Sequence, residues 1–376
     1  MNKIYFISCY FAPIGRAEAN RAFLVKYLAE EGWDIEVVAG ERFRSFILNF
    51  QEDHSLRDVI PKGIKIHHFN GRRGWLVYDF KKLLNKPNNV RDHWINEAEK
   101  NHQLEEKGII YAVIPPIDYA ILAYRLALKF NYPLVLYYVD DSLDIDKKII
   151  ERANIILTVT SFIKDALLKK YGHREIHVVE HGFLQDIPLT PKSKVNFPLR
   201  LIYTGSMTFR TRPEVFAMGY NILLRKNPKL AEQIEIDFYG PQNYYHFLFL
   251  NKWLNRNVRF KRFLSVKELF QILPTYDMAL ASTKGNVAFP SKIYQYLNAG
   301  LPLLTASDHH GSKEFVEKHQ IGLASLSNAQ DVANKIEELV QNKDQIIQWR
   351  KNVIKIKSEF SLNKRVEEIS QLLKTI

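Results

Sequence analysis

Two segments in the second half of the chain combine cations with turn residues in a way that suits an anionic ligand. The first is Leu201-Ile202-Tyr203-Thr204-Gly205-Ser206, followed by Arg210, Arg212 and Pro213. An apolar run ends at Gly205, two arginines follow, and proline stands where a first helical turn can begin. A guanidinium is a planar, permanently charged fork that matches the oxygens of a diphosphate. A solvated loop with two surface arginines fits the same residues equally well. The second segment is Phe289-Pro290-Ser291-Lys292, continuing through Gln295 to Gly300 and Pro302. Ser291 is expected to cap a helix, so that the free amides of the first turn and the Lys292 ammonium point at one place. Gln295 shares that face, four residues after Ser291 and three after Lys292. An ordinary capped helix with a lysine in solvent is the competing reading. Tyr239-Gly240-Pro241 adds a turn at the end of another apolar run, a weak signal alone.

The first half offers carboxylates. Asp140, Asp141, Asp144 and Asp146 cluster after an apolar run. They suit contacts to a sugar or an acceptor, a magnesium or manganese site at Asp144 and Asp146, or an acidic loop that caps the next helix. His67-His68 and His309-His310 are adjacent pairs. Neighbours on a strand point to opposite faces, so neither pair chelates by itself. Two basic stretches stand out. Arg72–Trp94 holds six Lys/Arg and two Asp with Trp75 and Trp94, and Asn251–Phe263 holds five basic residues and no acidic one. Such stretches suit an anionic membrane interface or simply a solvated basic face. The formal net charge of +12 favours an anionic partner without choosing it. No zinc-finger, basic-zipper or RNA-binding pattern is present, so nucleic acid is not expected.

These residues need a scaffold, and the chain reads as an α/β protein. Short apolar runs alternate with amphipathic stretches. Lys3–Cys9, Trp33–Ala39, Ile109–Ile114, Leu134–Val139, Ile155–Thr160 and Ile176–Glu180 are expected strands. Asn20–Glu31, Asp118–Phe130 and Phe162–Tyr171 are expected helices. A proline-rich stretch then interrupts the pattern, with Pro188, Pro191 and Pro198. A second series follows, with strands near Arg200–Thr204, Glu235–Tyr239, Val258–Phe260, Met278–Ala281, Pro302–Ala306 and Gly322–Ala324. Strand–helix alternation implies parallel sheets with crossover helices. The expectation is two Rossmann-like domains facing across a cleft: residues 1–187, a linker at 188–198, residues 199–355, and a helix at 356–376 that packs back on the first domain. One cysteine, Cys9, excludes an internal disulfide framework and fits a reducing compartment, and a cytoplasmic location follows. No apolar run reaches the length of a membrane span.

The ordered set of segments resembles the GT-B glycosyltransferases, in particular the retaining, group 1 class of bacterial polysaccharide and lipopolysaccharide enzymes. The resemblance rests on strand-Gly205-Ser206, Tyr239-Gly240-Pro241, Asn257 to Phe260 with Glu268, Asp277, and Pro290-Ser291-Lys292 through Gly300 and Pro302. In the first half it rests on Phe11-Ala12-Pro13-Ile14-Gly15-Arg16 and on Glu151–Thr160 with Val179–Phe183. It implies transfer of a sugar from a UDP- or GDP-sugar to a glycan or lipid-linked acceptor, with no resident cofactor and no metal. By position it implies that Gly15, Gly205, Ser206, Arg210, Arg212, Gly240, Pro241, Pro290, Ser291, Lys292 and Gln295 hold the donor. Arg16, Asp140 and Asp141 take the catalytic positions. Peripheral contact with the inner face of an anionic membrane belongs to the same expectation. Two features depart from the family. Arg16 stands where a second glycine is common, and Gln295 stands where many members carry a glutamate, with no carboxylate between Lys284 and Phe289. An epimerase or phosphorylase of the same architecture, and a non-catalytic sugar-nucleotide-binding protein, are the alternatives.

Overall fold

The computed structural model describes residues 2–8, 11–13, 18–40, 52–69, 90–114, 117–139, 144–172, 175–189, 194–241, 246–284, 290–308 and 310–376. Its contacts divide the chain into two units: Met1–His181 with Leu362–Ile376, and Gly182–Ser361.

Unit 1 is built on a parallel sheet. Its strands are β1 (Lys3–Ile7), β2 (Asp34–Gly40), β3 (Lys65–Phe69), β4 (Ile109–Ile114), β5 (Leu134–Tyr138), β6 (Ile155–Thr158) and β7 (Ile176–Val178), in the order β3-β2-β1-β4-β5-β6-β7. The central strands are buried along their whole length, as strands covered by helices on both faces must be. That is why they read as continuous apolar runs. The helices among the described residues are α1 (Glu18–Glu30), α2 (Val90–Asn101), α3 (Ile117–Phe130), α4 (Lys147–Arg152) and α5 (Ser161–Tyr171). β3, α2 and α4 were not expected. β3 is half polar on a sheet edge, and α2 averages strongly hydrophilic, so neither carries a clear apolar period. The C-terminal residues of the chain complete this unit. Trp33 Nε1 donates to Ser370 Oγ at 2.9 Å in a buried contact.

Unit 2 repeats the plan. Its strands are β8 (Leu199–Thr204), β9 (Ile234–Tyr239), β10 (Val258–Lys261), β11 (Met278–Thr283), β12 (Leu303–Ser307) and β13 (Gly322–Ser325), all parallel, in the order β10-β9-β8-β11-β12-β13. Its helices are α6 (Glu214–Lys226), α7 (Pro228–Ala231), α8 (Val266–Ile272), α9 (Lys292–Asn298), α10 (His310–His319), α11 (Ala329–Gln341) and α12 (Gln345–Ile356). The last helix of the chain, α13 (Leu362–Leu373), belongs to unit 1. α8 begins with a capping box: Ser265 accepts from the Glu268 N–H, and the Glu268 carboxylate reaches back to the Ser265 N–H.

Residues 185–187, just before the expected linker, are anchored within unit 2. The Ile187 N–H donates to Asn298 Oδ1, Asn298 Nδ2 donates to the Gln185 carbonyl, and Lys357 pairs with Asp186 at 3.0 Å. These polar anchors fix the chain just before Pro188, and Pro191 lies outside the described residues.

In both sheets the chain winds outward from β1 or β8 in one direction, then returns to β4 or β11 on the other side. Strand order therefore reverses between β1 and β4 and between β8 and β11. The crevice at the carboxyl ends of such a pair is where doubly wound sheets bind ligands.

Candidate functional site

In unit 2 the reversal lies between β8 and β11, and the expected donor segments converge there. β8 ends at Thr204, and Gly205 turns away with φ +101°, a conformation that disfavours any side chain. The Gly205 N–H donates to the Tyr239 carbonyl at 2.9 Å, which presses the turn after β8 against the turn after β9. The approach is close enough that a Cβ on Gly240 would lie 2.4 Å from the Gly205 carbonyl oxygen. Gly240 and Pro241 are both buried in that contact.

The loop from Ser206 to Arg212 is a folded turn. Thr211 Oγ1 donates to the Ser206 carbonyl at 3.1 Å and accepts from the Thr208 N–H at 3.0 Å. The Arg212 N–H closes on the Thr208 carbonyl at 2.9 Å. Two contacts fix the loop across the end of β11. The Lys284 N–H donates to the Arg210 carbonyl at 2.8 Å, and Ser282 Oγ donates to the Thr211 carbonyl. Arg210 is exposed. Arg212 has φ +37°, and its Nε lies 3.2 Å from Oε1 of the buried Glu214, which aims the guanidinium. Pro213 opens α6 as expected.

Lys292 occupies the centre. Its Nζ lies 3.8 Å from the centroid of the Tyr203 ring, over its face, and 3.7 Å from where a Gly205 Cβ would stand. Part of the side chain reaches the surface, but Nζ itself is enclosed, and among the described residues it has no hydrogen-bond partner. The π face of Tyr203 attracts the cation but supplies no hydrogen-bond acceptor. Burial pushes the Lys292 pKa down to about 7. A lysine half neutral near physiological pH, enclosed and unpartnered, is a group prepared for an anion.

Other expectations are modified. Ser291 stands at the N-cap position of α9, but with helical dihedrals (φ −56°, ψ −25°) and no side-chain cap bond, so the expected capping hydrogen bond is not made. It is exposed, beside the half-buried Pro290. Gln295 Oε1 accepts from the Leu184 N–H at 3.4 Å, and its amide donor, Nε2, is not committed to that bond. Asp146 caps α4 through the Lys148 N–H, and the exposed Asp144 pairs with Lys170. Those two partners favour the capping-loop reading over a metal pair. Within Asn251–Phe263, Arg259 is neutralised by Asp237 and Glu235, and Arg262 by Glu268. The stretch is therefore less basic than its sequence. Gly15, Arg16, Asp140, Asp141, Cys9, His309 and most of Arg72–Trp94 lie outside the described residues.

Two tyrosines of the site were not expected. Tyr203 carries Lys292, and Tyr296 Oη accepts from the Thr204 N–H at 2.9 Å, which pins the end of β8 to α9. Both lie in runs that read as core. Only the spacing of Tyr296, four residues after Lys292 on one helix, could have suggested its place.

Residues 199–342 match the family described as glycosyl transferases, group 1. No curated protein matches the chain in sequence. Among solved structures it is similar to HepE of Anabaena in complex with UDP and glucose, at 16% identity and TM-score 0.70 over 100% of both chains. It is similar to the pneumococcal O-GlcNAc transferase GtfA in complex with UDP and GlcNAc, at 11% identity and TM-score 0.71, over 99% of this chain and 98% of that one. An Escherichia coli structure bound with UDP-2-fluoro glucose matches at 12% identity and TM-score 0.68, over 100% and 99%. The whole chain thus has the GT-B fold, and its residues 199–342 match the model of the group 1 glycosyltransferases.

Proposed function

We propose that the protein transfers a sugar from a UDP-sugar to a hydroxyl of a glycan or lipid-linked acceptor. The observation that carries this reading is the enclosed, unpartnered Lys292 amine at the strand-order reversal of the group 1 region. Three structurally similar proteins solved with UDP or a UDP-sugar favour uridine over guanosine in the donor. The diphosphate takes the place beside Gly205, where Lys292, Arg212 and Arg210 supply positive charge. Pro241, Gly240 and Ser206 shape the turns around it, and Gln295 Nε2 is the donor group for ribose hydroxyls.

In the reaction the acceptor oxygen bonds to the anomeric carbon. The bond from that carbon to the diphosphate oxygen breaks, and its electron pair leaves with UDP. One proton is released from the acceptor hydroxyl. Charge grows on the diphosphate as it departs, and a fixed cation in an enclosed site stabilises that charge best. Lys292 takes up a proton as the diphosphate binds. Side-chain cations fill the role a metal would otherwise play, so transfer needs neither magnesium nor manganese. Retention of configuration is part of the proposal and follows the resemblance. Gly15, Arg16, Asp140 and Asp141 remain the proposed residues on the sugar and acceptor side. Contact with an anionic membrane face rests on the net charge and on exposed Phe247 and Leu248 near Lys252. Among the described residues no helix is long and apolar enough to cross a membrane.

Product analysis tests the reading. The protein is incubated with a panel of UDP-sugars and glycan or lipid acceptors, with magnesium and manganese withheld. The expected products are UDP and a glycosylated acceptor, with the rate lowered at least ~10-fold in Lys292→Ala. Release of sugar 1-phosphate would indicate a phosphorylase. A strict requirement for either metal would contradict the metal-free step.

A further inference from the structure

The edge of the unit 1 sheet gathers three side chains that the donor site does not use. Glu36 lies on β2, His67 on β3 and His102 directly after α2. The parallel register pairs Glu36 with Lys65 and Val38 with His67, so Glu36 and His67 share one face two positions apart. The chain leaving α2 brings His102 to that face. Nε2 of His67 lies 2.9 Å and Nε2 of His102 3.4 Å from the same atom, Glu36 Oε1. The imidazole centroids are 4.7 Å apart, and the three ligand atoms all lie within 4.8 Å of one another.

These atoms are shielded. His102 is 2% exposed and Glu36 8%. Tyr5 and Phe69 pack T-shaped against the His102 ring. Both Nε2 atoms are enclosed and, among the described residues, neither makes a hydrogen bond of acceptable geometry. Buried ring nitrogens are ordinarily satisfied. Two of them converging on one carboxylate oxygen match a different arrangement. A tetrahedral shell with bonds of about 2.0–2.1 Å separates neighbouring ligand atoms by roughly 3.3 Å, close to the two distances from the imidazoles to Glu36 Oε1. Lys3 Nζ lies 3.4 Å from the other oxygen, Glu36 Oε2, and 2.8 Å from Asp34. It orients the carboxylate so that Oε1 faces the rings, the role an outer-shell partner takes at a metal site, while Asp34 offsets its charge.

We propose that Glu36, His67 and His102 bind one zinc(II)-class ion, which clamps β3 and the end of α2 to β2. Two imidazoles and one carboxylate select a borderline transition metal over magnesium or calcium, which take oxygen shells. The side chain of His67 is 40% exposed, so water completes the shell from that side. Neither adjacent histidine pair is used as a pair. His67 finds its partners across the sheet and from the residue after α2. The proposal is independent of the donor site.

The test uses the full-length chain, stripped with a chelator and moved to chelator-free buffer. Zinc chloride is titrated by calorimetry, and cobalt(II) by visible absorption. The expected result is one equivalent bound, with affinity at least tenfold lower in His67→Ala and in Glu36→Gln. Absorption at the zinc edge is expected to show two imidazole nitrogens and a carboxylate oxygen, a readout that needs no variant. Binding of less than one equivalent would overturn the proposal. So would unchanged affinity in both variants, or a zinc shell without imidazole. If the two histidines merely hydrogen-bond Glu36, the first of these results is obtained.

Discussion

At the scale of single residues, the proposed function rests most directly on Lys292. Its folded-state pKa of about 7 lies below the unfolded value of 10.5 because burial disfavours the ammonium. Between those two pH values the unfolded chain holds a proton at this site that the folded chain lacks. Stability therefore rises with pH across that window, and the lysine's cost is fully present below it. Lys292→Met is expected to stabilise the unliganded protein at neutral pH by up to a few kcal/mol. The difference from wild type should shrink as pH rises toward 10.5. Denaturant titrations of both proteins across that range check this, and a constant difference would show that the amine is not buried as described. Lys292 stood out in the sequence, from a helix start after Pro290. Its physical setting was not legible there. The expected ground was a capped helix, yet Ser291 makes no side-chain cap bond, and the enclosing ring belongs to Tyr203, far earlier in the chain. Burial by a distant residue leaves no mark on local spacing. His102 makes the same point: nothing around it in sequence announces Glu36.

The turns at the scale of elements show why two glycines hold the site. Gly240→Ala would set a methyl group 2.4 Å from the Gly205 carbonyl oxygen, a backbone atom that cannot turn aside. The turns after β8 and β9 would have to separate, at about 1–3 kcal/mol. UDP affinity should fall together with thermal stability, measured by calorimetry and melting on one sample. Unchanged affinity would mean that the turn does not shape the site. α8 supplies a local counterpart. Its capping box is complete, and Ser265→Ala should cost about 1 kcal/mol in denaturant unfolding. Elements with a strong apolar run or period were legible to within a few residues, as for β4, β9 and α3. β3 and α2 were not, because half-polar edge elements are fixed by what they pack on rather than by their own pattern. The donor turns were legible as turns, while their mutual contact is a matter of strand order.

At the scale of the whole molecule, two units of the same winding carry different loads. The first strand-order reversal lies beside residues outside the described set, whereas the second lies beside a folded loop with an enclosed amine. Alternating strands and helices made the doubly wound class legible, since a parallel sheet requires crossovers. The end of the chain belongs to unit 1 through α13, whose Ser370 accepts from Trp33 inside the core. Deleting residues 362–376 should raise amide exchange along α1 while the strands of unit 2 keep their protection. Equal loss in both units would show that they do not fold as separate contact bodies. The most direct measurement is calorimetric titration of UDP into the wild-type protein and Lys292→Met, each in two buffers of different ionisation enthalpy near about pH 8, where the free amine is largely neutral. The expected result is wild-type binding with uptake of about one proton, and at least tenfold weaker binding without that uptake in the variant. Equal affinity and equal proton uptake in the two proteins would contradict the placement of the diphosphate at Lys292.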